Sequence, residues 1–151
     1  WGTYCYSNCY SQDIEAGGSI VVPSGSELLI NEYNLHIDEG GSLEVQAGAT
    51  VVGDYYGISS SGNLKINGAT VTDTSLSIYS GSFVFTGNNY SNSNVDDMIV
   101  TTGLSPTMSG NVNNENVGYV SLFGSLTTSS TLNWSDGLRY RWGTDCTSNC
   151  Y

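Results

Sequence analysis

Four cysteines, one histidine and fourteen carboxylates are the side chains of this 151-residue sequence that could carry covalent, acid–base or metal chemistry. The cysteines form two Cys-x3-Cys pairs, Cys5/Cys9 and Cys146/Cys150. Such a set could hold zinc through four thiolates, but disulfides are the expected chemistry in a secreted chain. A bond inside one pair requires a local turn, because an extended strand would hold the Cα atoms about 13 Å apart. Bonds between the pairs are the other option, and connectivity stays open. His36 stands between Leu35 and Ile37. Alternation places it on an outward face, where a solvated residue is expected rather than a catalytic base. Serine is plentiful enough for a Ser-His-Asp set, yet no nucleophile-elbow motif occurs. Calcium has candidate ligands at Asp96-Asp97 and at Asn111 to Asn116 with Glu115, but neither group has calcium-loop spacing. Otherwise no cofactor is expected. Asn89-Tyr90-Ser91 and Asn133-Trp134-Ser135 are N-glycosylation sequons, set against a background of chance matches in a Ser/Asn-rich chain.

The elements that must position these residues come from a repeat. Gly18-Ser19-Ile20-Val21-Val22, Gly41-Ser42-Leu43-Glu44-Val45, Gly62-Asn63-Leu64-Lys65-Ile66 and Gly81-Ser82-Phe83-Val84-Phe85 are one phrase written four times. The steps are 23, 21 and 19 residues (41−18, 62−41, 81−62). Downstream, Pro23-Ser24-Gly25-Ser26-Glu27-Leu28 lies over Gln46-Ala47-Gly48-Ala49-Thr50-Val51, and Gly68-Ala69-Thr70-Val71 repeats it with a deletion. A turn glycine followed by apolar-x-apolar at this period marks a solenoid whose units bury their apolar faces only by stacking. The expected fold is all-β: a single-domain parallel β-helix with short strands, coils of 19–23 residues and no capping helix. Residues 1–16 form an N-terminal motif and lead-in, 17–125 the solenoid with a projecting loop at 86–97, and 126–151 closing strands and a C-terminal motif. Thr70-Val71-Thr72 is the kind of segment found on ice-binding faces, but it does not visibly recur from coil to coil.

Composition narrows the function classes. Three basic residues against fourteen acidic ones give a net charge of −11, which argues against nucleic acid and anionic membrane surfaces. No apolar run is long enough to span a membrane as a helix. The first residue is Trp1, so a processed product or an excerpt is expected, with an extracellular or cell-surface location.

The segments 18–28 and 40–51 resemble the coils of secreted microbial right-handed parallel β-helix proteins, the pectate-lyase-like solenoids and their adhesin relatives. The resemblance covers roughly residues 17–87 and concerns repeat type. In that family it implies calcium held by acidic residues with an arginine base, or paired aspartates for hydrolysis. Neither set carries over: residues 17–87 contain no arginine, and Asp96-Asp97 would point to opposite faces of a strand.

The ends carry a further repeat. Residues 1–10, WGTYCYSNCY, and 142–151, WGTDCTSNCY, agree at eight of ten positions at an offset of 141 (142−1). Trp1, Tyr4, Tyr6, Tyr10, Tyr140, Trp142 and Tyr151 place large apolar rings with polar tips beside the cysteines, as at an interface; capping within one molecule would use the same residues. A solenoid without a capping helix exposes strand edges at both ends. If one end receives the other end of a second copy, the contact does not close and a filament grows. The expected function is therefore a non-enzymatic structural subunit of an extracellular, pilus-like filament, a head-to-tail homopolymer locked by disulfides. A unit of a covalent tandem array would explain the duplicated motif equally well. The alternatives are a carbohydrate-binding or -degrading β-helix, with Tyr55-Tyr56 and Tyr79 as candidate sugar-stacking rings, and a monomeric adhesin or surface-display domain.

Overall fold

The computed structural model describes residues 12–31, 33–53, 56–92, 98–100, 107–114, 119–122, 127–134 and 139–142. The first coil consists of β1 (Gln12–Ile14), β2 (Ser19–Val22) and β3 (Glu27–Ile30). The second is β4 (Leu35–Ile37), β5 (Ser42–Val45) and β6 (Thr50–Gly53), and the third β7 (Gly57–Ser60), β8 (Asn63–Asn67) and β9 (Thr70–Thr72). The fourth is β10 (Ser75–Ile78) and the long β11 (Ser82–Asn92). The backbone ladder continues through β12 (Met98–Val100), β13 (Thr107–Asn114), β14 (Tyr119–Leu122), β15 (Thr127–Trp134) and β16 (Arg139–Trp142). Every pairing is parallel and joins strands one coil apart. The protein is an all-β parallel solenoid, as its repeat requires.

Three faces run along the stack. Face A carries β1, β4, β7, β10, β12, β14 and β16 in that order. Face B carries β2, β5, β8 and the first half of β11, and face C carries β3, β6, β9 and the second half of β11. Alternation does what period two demands. Leu43 and Val45 of β5 are buried while Ser42 and Glu44 point outward, and Leu64 and Ile66 repeat the pattern one coil on. Like residues therefore stack in columns: Val22, Val45, Ile66, Phe85 and Met108 form one continuous apolar file. Each file is covered only where a neighbouring coil lies against it. In the first coil Ile20 and Leu28 are only partly buried, whereas their register partners Leu43 and Val51 are closed off.

The corners explain the glycines. Gly40 has φ +83°, and the Gly41 N–H donates to the Asp38 carbonyl at 2.8 Å, a tight turn that an L side chain at Gly40 would strain. Between faces B and C the corners stack directly: the Gly25 N–H donates to the Gly48 carbonyl at 3.0 Å and the Gly48 N–H to Gly68 at 2.9 Å. The third corner shortens along the stack. It uses residues 31–34, then 54–56, then 73–74. The shortest form needs Asp73 at φ +48°, which a short polar residue tolerates.

Three boundaries differ from the sequence expectation. The solenoid begins at Gln12, because β1 pairs with β4 in register, Asp13 against His36. Residues 86–92 do not project: they are the second half of β11, paired with β9 and β13, while 93–97 lie outside the described residues. Residues 127–134 and 139–142 do not close the end as a strand pair; β15 and β16 extend the two ladders one rung further. The reason at 86–92 is visible in Asn88. This buried side chain accepts a hydrogen bond from the Ala69 N–H and donates one to the Ile66 carbonyl, both at 2.9 Å. A polar residue thus replaces the turn, and Ser109 does the same for the next coil by accepting from the Gly87 N–H at 3.0 Å.

Buried polar groups are worth what their partners make them. Ser60 is fully buried in face A, and its hydroxyl has no hydrogen-bond partner among the described residues. Asn88→Ala should cost about 2–4 kcal/mol by stranding the Ala69 N–H. Ser60→Ala should be neutral or stabilising by up to about 1 kcal/mol. Urea melts of both variants followed by circular dichroism check this, and equal losses would refute the contrast.

Candidate functional site

The chemistry-bearing residues fall into three places: an outward column on face A, an outward column on face C, and the two ends of the ladder. On face A, Asp13, His36 and Ser59 occupy consecutive rungs of one outward column, with Ser77 next. Outward placement of His36 agrees with its sequence neighbours, since Leu35 and Ile37 are buried on either side. The stack brings together the three residue types of a hydrolytic triad, which sequence spacing alone concealed. His36 makes no hydrogen bond or ion pair among the described residues, so no base is tied to the Ser59 hydroxyl. β7 is flanked by β4 and β10, and the N–H of its first residue, Gly57, donates to the Asn34 side-chain oxygen at 2.8 Å. The column is a half-buried polar stripe.

On face C one register column runs Glu27, Thr50, Thr70, Asn89, Asn111 and Asn133, and Thr70 and Asn89 in it are exposed. Thr70-Val71-Thr72 therefore does have counterparts: Thr50-Val51-Val52 before it, and Asn89-Tyr90-Ser91 and Asn111-Val112-Asn113 after it. The central residue is the buried one, and Val51, Val71 and Tyr90 line the core. Tyr90 is locked there by an edge-on contact with Phe85 at 6.0 Å and by its hydroxyl donating to the Thr74 carbonyl at 2.9 Å. What faces solvent on Thr70 and Asn89 is hydroxyl and amide rather than charge. Coil lengths that drift at the corners hid this alignment, and pairing residues by strand instead of by constant period would have found it.

Face B is polar in a different way. Ser42 donates to Ser19 at 2.9 Å, Ser82 to Asn63 at 2.7 Å and Thr86 to Asn67 at 3.0 Å, each across one rung. Lys65 and Glu44 form an exposed ion pair at 2.8 Å. It contributes little, since exposed pairs are worth about 0–1 kcal/mol. The candidate sugar-stacking rings do not form a strip. Tyr56 packs beside Tyr33 in the third corner, with centroids 6.3 Å apart, and Tyr79 stands exposed on the corner between faces A and B. Tyr55 lies outside the described residues.

At the ends, Cys5, Cys9, Cys146, Cys150, Trp1, Tyr4, Tyr6, Tyr10 and Tyr151 lie outside the described residues, as do Asp96 and Asp97 of the calcium candidates. Asn111 belongs to β13. Among the described residues no group of three or more His, Cys, Asp or Glu side chains could hold a metal ion. Tyr140 and Trp142 lie in β16, in register with Val120 and Leu122 of β14. Through β12 and β10 those positions continue the inward columns of Leu76 and Ile78. Tyr140 and Trp142 thus stand in register with Leu76 and Ile78 on the last described rung of face A. β1, β2 and β3 each pair on one side only among the described residues, and so do β15 and β16. No helix among the described residues is long and apolar enough to cross a membrane. No family model, curated protein or solved structure matches the chain.

A surface polar stripe and a catalytic triad respond differently to loss of the histidine. His36→Ala should shift stability by no more than about 0.5 kcal/mol. Hydrolysis of an activated ester should stay at the solvent rate with and without the substitution. A wild-type rate that collapses in the variant would reinstate the triad.

Proposed function

We propose that the protein is a structural subunit of an extracellular filament, stacked head to tail through the ends of its solenoid. The observation that carries this reading is the pair of strand edges. Among the described residues β1 to β3 present one edge and β15 with β16 the other, and all pairings are parallel. An edge of a parallel ladder accepts another parallel strand. The first coil of one molecule can therefore continue the last rungs of another without any change of polarity. Such a contact is heterologous and leaves a fresh edge at each step, so it propagates.

Packing supports the same arrangement. Ile14, Val22 and Ile30 are already buried within one chain, so an incoming rung adds backbone pairing and closes off Ile20 and Leu28. From the other side it brings β16 with Tyr140 and Trp142, in register with Val120 and Leu122 of β14. The Cys- and aromatic-rich motifs at 1–10 and 142–151 flank these edges and would lock the joint by disulfides. A surface dominated by Ser, Thr and Asn, with few charges, suits a polymer exposed to solvent. Its scarcity of Lys and Arg resists trypsin-like proteases.

Native material viewed by negative-stain electron microscopy should show long fibres. Non-reducing gels should show ladders that collapse on reduction to one band near 16.0 kDa. Fibres without reducible ladders would place the disulfides within each subunit. Discrete monomers under both conditions would refute the assembly.

A further inference from the structure

The asparagines of the two sequons stand in one register column of face C. Asn89 pairs in register with Asn111, and Asn111 with Asn133. Asn89 is exposed, and Ser91, two residues on, belongs to the same outward side of β11. Asn111-Val112-Asn113, on the rung between, lacks the hydroxyl residue that an acceptor needs. Acceptors therefore fall on alternate rungs, about 9.6 Å apart. A pyranose ring is wider than one rung, so acceptors on adjacent rungs would crowd each other, whereas alternate rungs leave room for two glycans side by side.

We propose that Asn89 and Asn133 are N-glycosylated and that their glycans form a single line along face C. The inference rests on the export part of the proposed function but not on polymerisation. The donor is a polyprenyl phosphate-linked oligosaccharide. A bond forms between the asparagine Nδ2 and the anomeric carbon, and the carbon–oxygen bond to the lipid phosphate breaks. The phosphate leaves with the electron pair, and one amide proton passes to a base of the transferase. Transfer precedes folding of the coil, because β11 is paired on both sides in the finished stack and Tyr90, the middle residue of the first sequon, is buried. Faces A and B carry no acceptor sequon on any described strand, so they stay bare. One side of the solenoid is sheathed and two sides remain open to neighbours.

The test is a peptide map of the native protein by mass spectrometry, using a protease other than trypsin because the chain offers it three Lys and Arg residues. Peptides containing Asn89 and Asn133 should carry saccharide mass, and Asn111 should be bare. Ser91→Ala produced in the same host should lose the Asn89 mass alone and keep its melting temperature. A bare Asn89 or a bare Asn133 in native protein overturns the inference, as does saccharide that persists at Asn89 in Ser91→Ala. Fibres with bare asparagines would sink this inference and leave the filament standing. Glycosylated monomers would do the reverse.

Discussion

Parallel pairing leaves every coil with a row of backbone donors and acceptors that only another coil can satisfy. Among the described residues nothing folds back as a hairpin to close that row, so each of β1 to β16 depends on a strand about one coil away. The rest of the structure follows from this dependence. Side chains must repeat at one register so that files such as Leu43, Leu64 and Phe83 meet. Corners must be narrow enough for backbones to stack, which selects glycine: a Cβ on Gly81 would collide with the Gly62 carbonyl. The first and last rungs inherit the requirement unsatisfied by the ladder itself, and that places any assembly chemistry at the ends instead of in a cleft.

How much of this the sequence discloses depends on what each corner is made of. Where a corner is Gly-Gly or Ser-Gly, punctuation and alternation give the coil directly, and Gly18 to Phe85 is legible as four rungs. Where a corner is made by a buried amide, the signal inverts. Thr86-Gly87-Asn88-Asn89 looks like a polar loop because asparagine is normally a surface residue. Here the Asn88 side chain bonds the third coil and lets the strand run through the bend. β1 escapes notice for another reason: Gln12-Asp13-Ile14 is too short to show a period, and its one core residue, Ile14, finds its column only through β4.

The outward columns were less legible than the core. Apolar positions announce themselves by alternation, whereas outward residues are free to vary, so their alignment shows only once the changing lengths of the corners are known. Asp13, His36 and Ser59 are an instance: residues spread over more than forty positions become rung neighbours (59−13 = 46). Their meeting is a product of register and not of site construction, since nothing orients the imidazole between its neighbours. The terminal motif was conspicuous in sequence for the opposite reason. Repetition of eight residues in ten needs no fold to be noticed.

The strands lie across the stack and their hydrogen bonds run along it. A load applied along the axis therefore falls on all the bonds of a rung together, on faces A, B and C at once, and none can open by peeling from a free strand end without its two companions. Bending is a different matter, because the third corner carries four, three and then two residues in successive coils. A rod of this kind resists extension uniformly but is unequal in flexure from coil to coil, stiffest where Asp73 and Thr74 draw the bend tight.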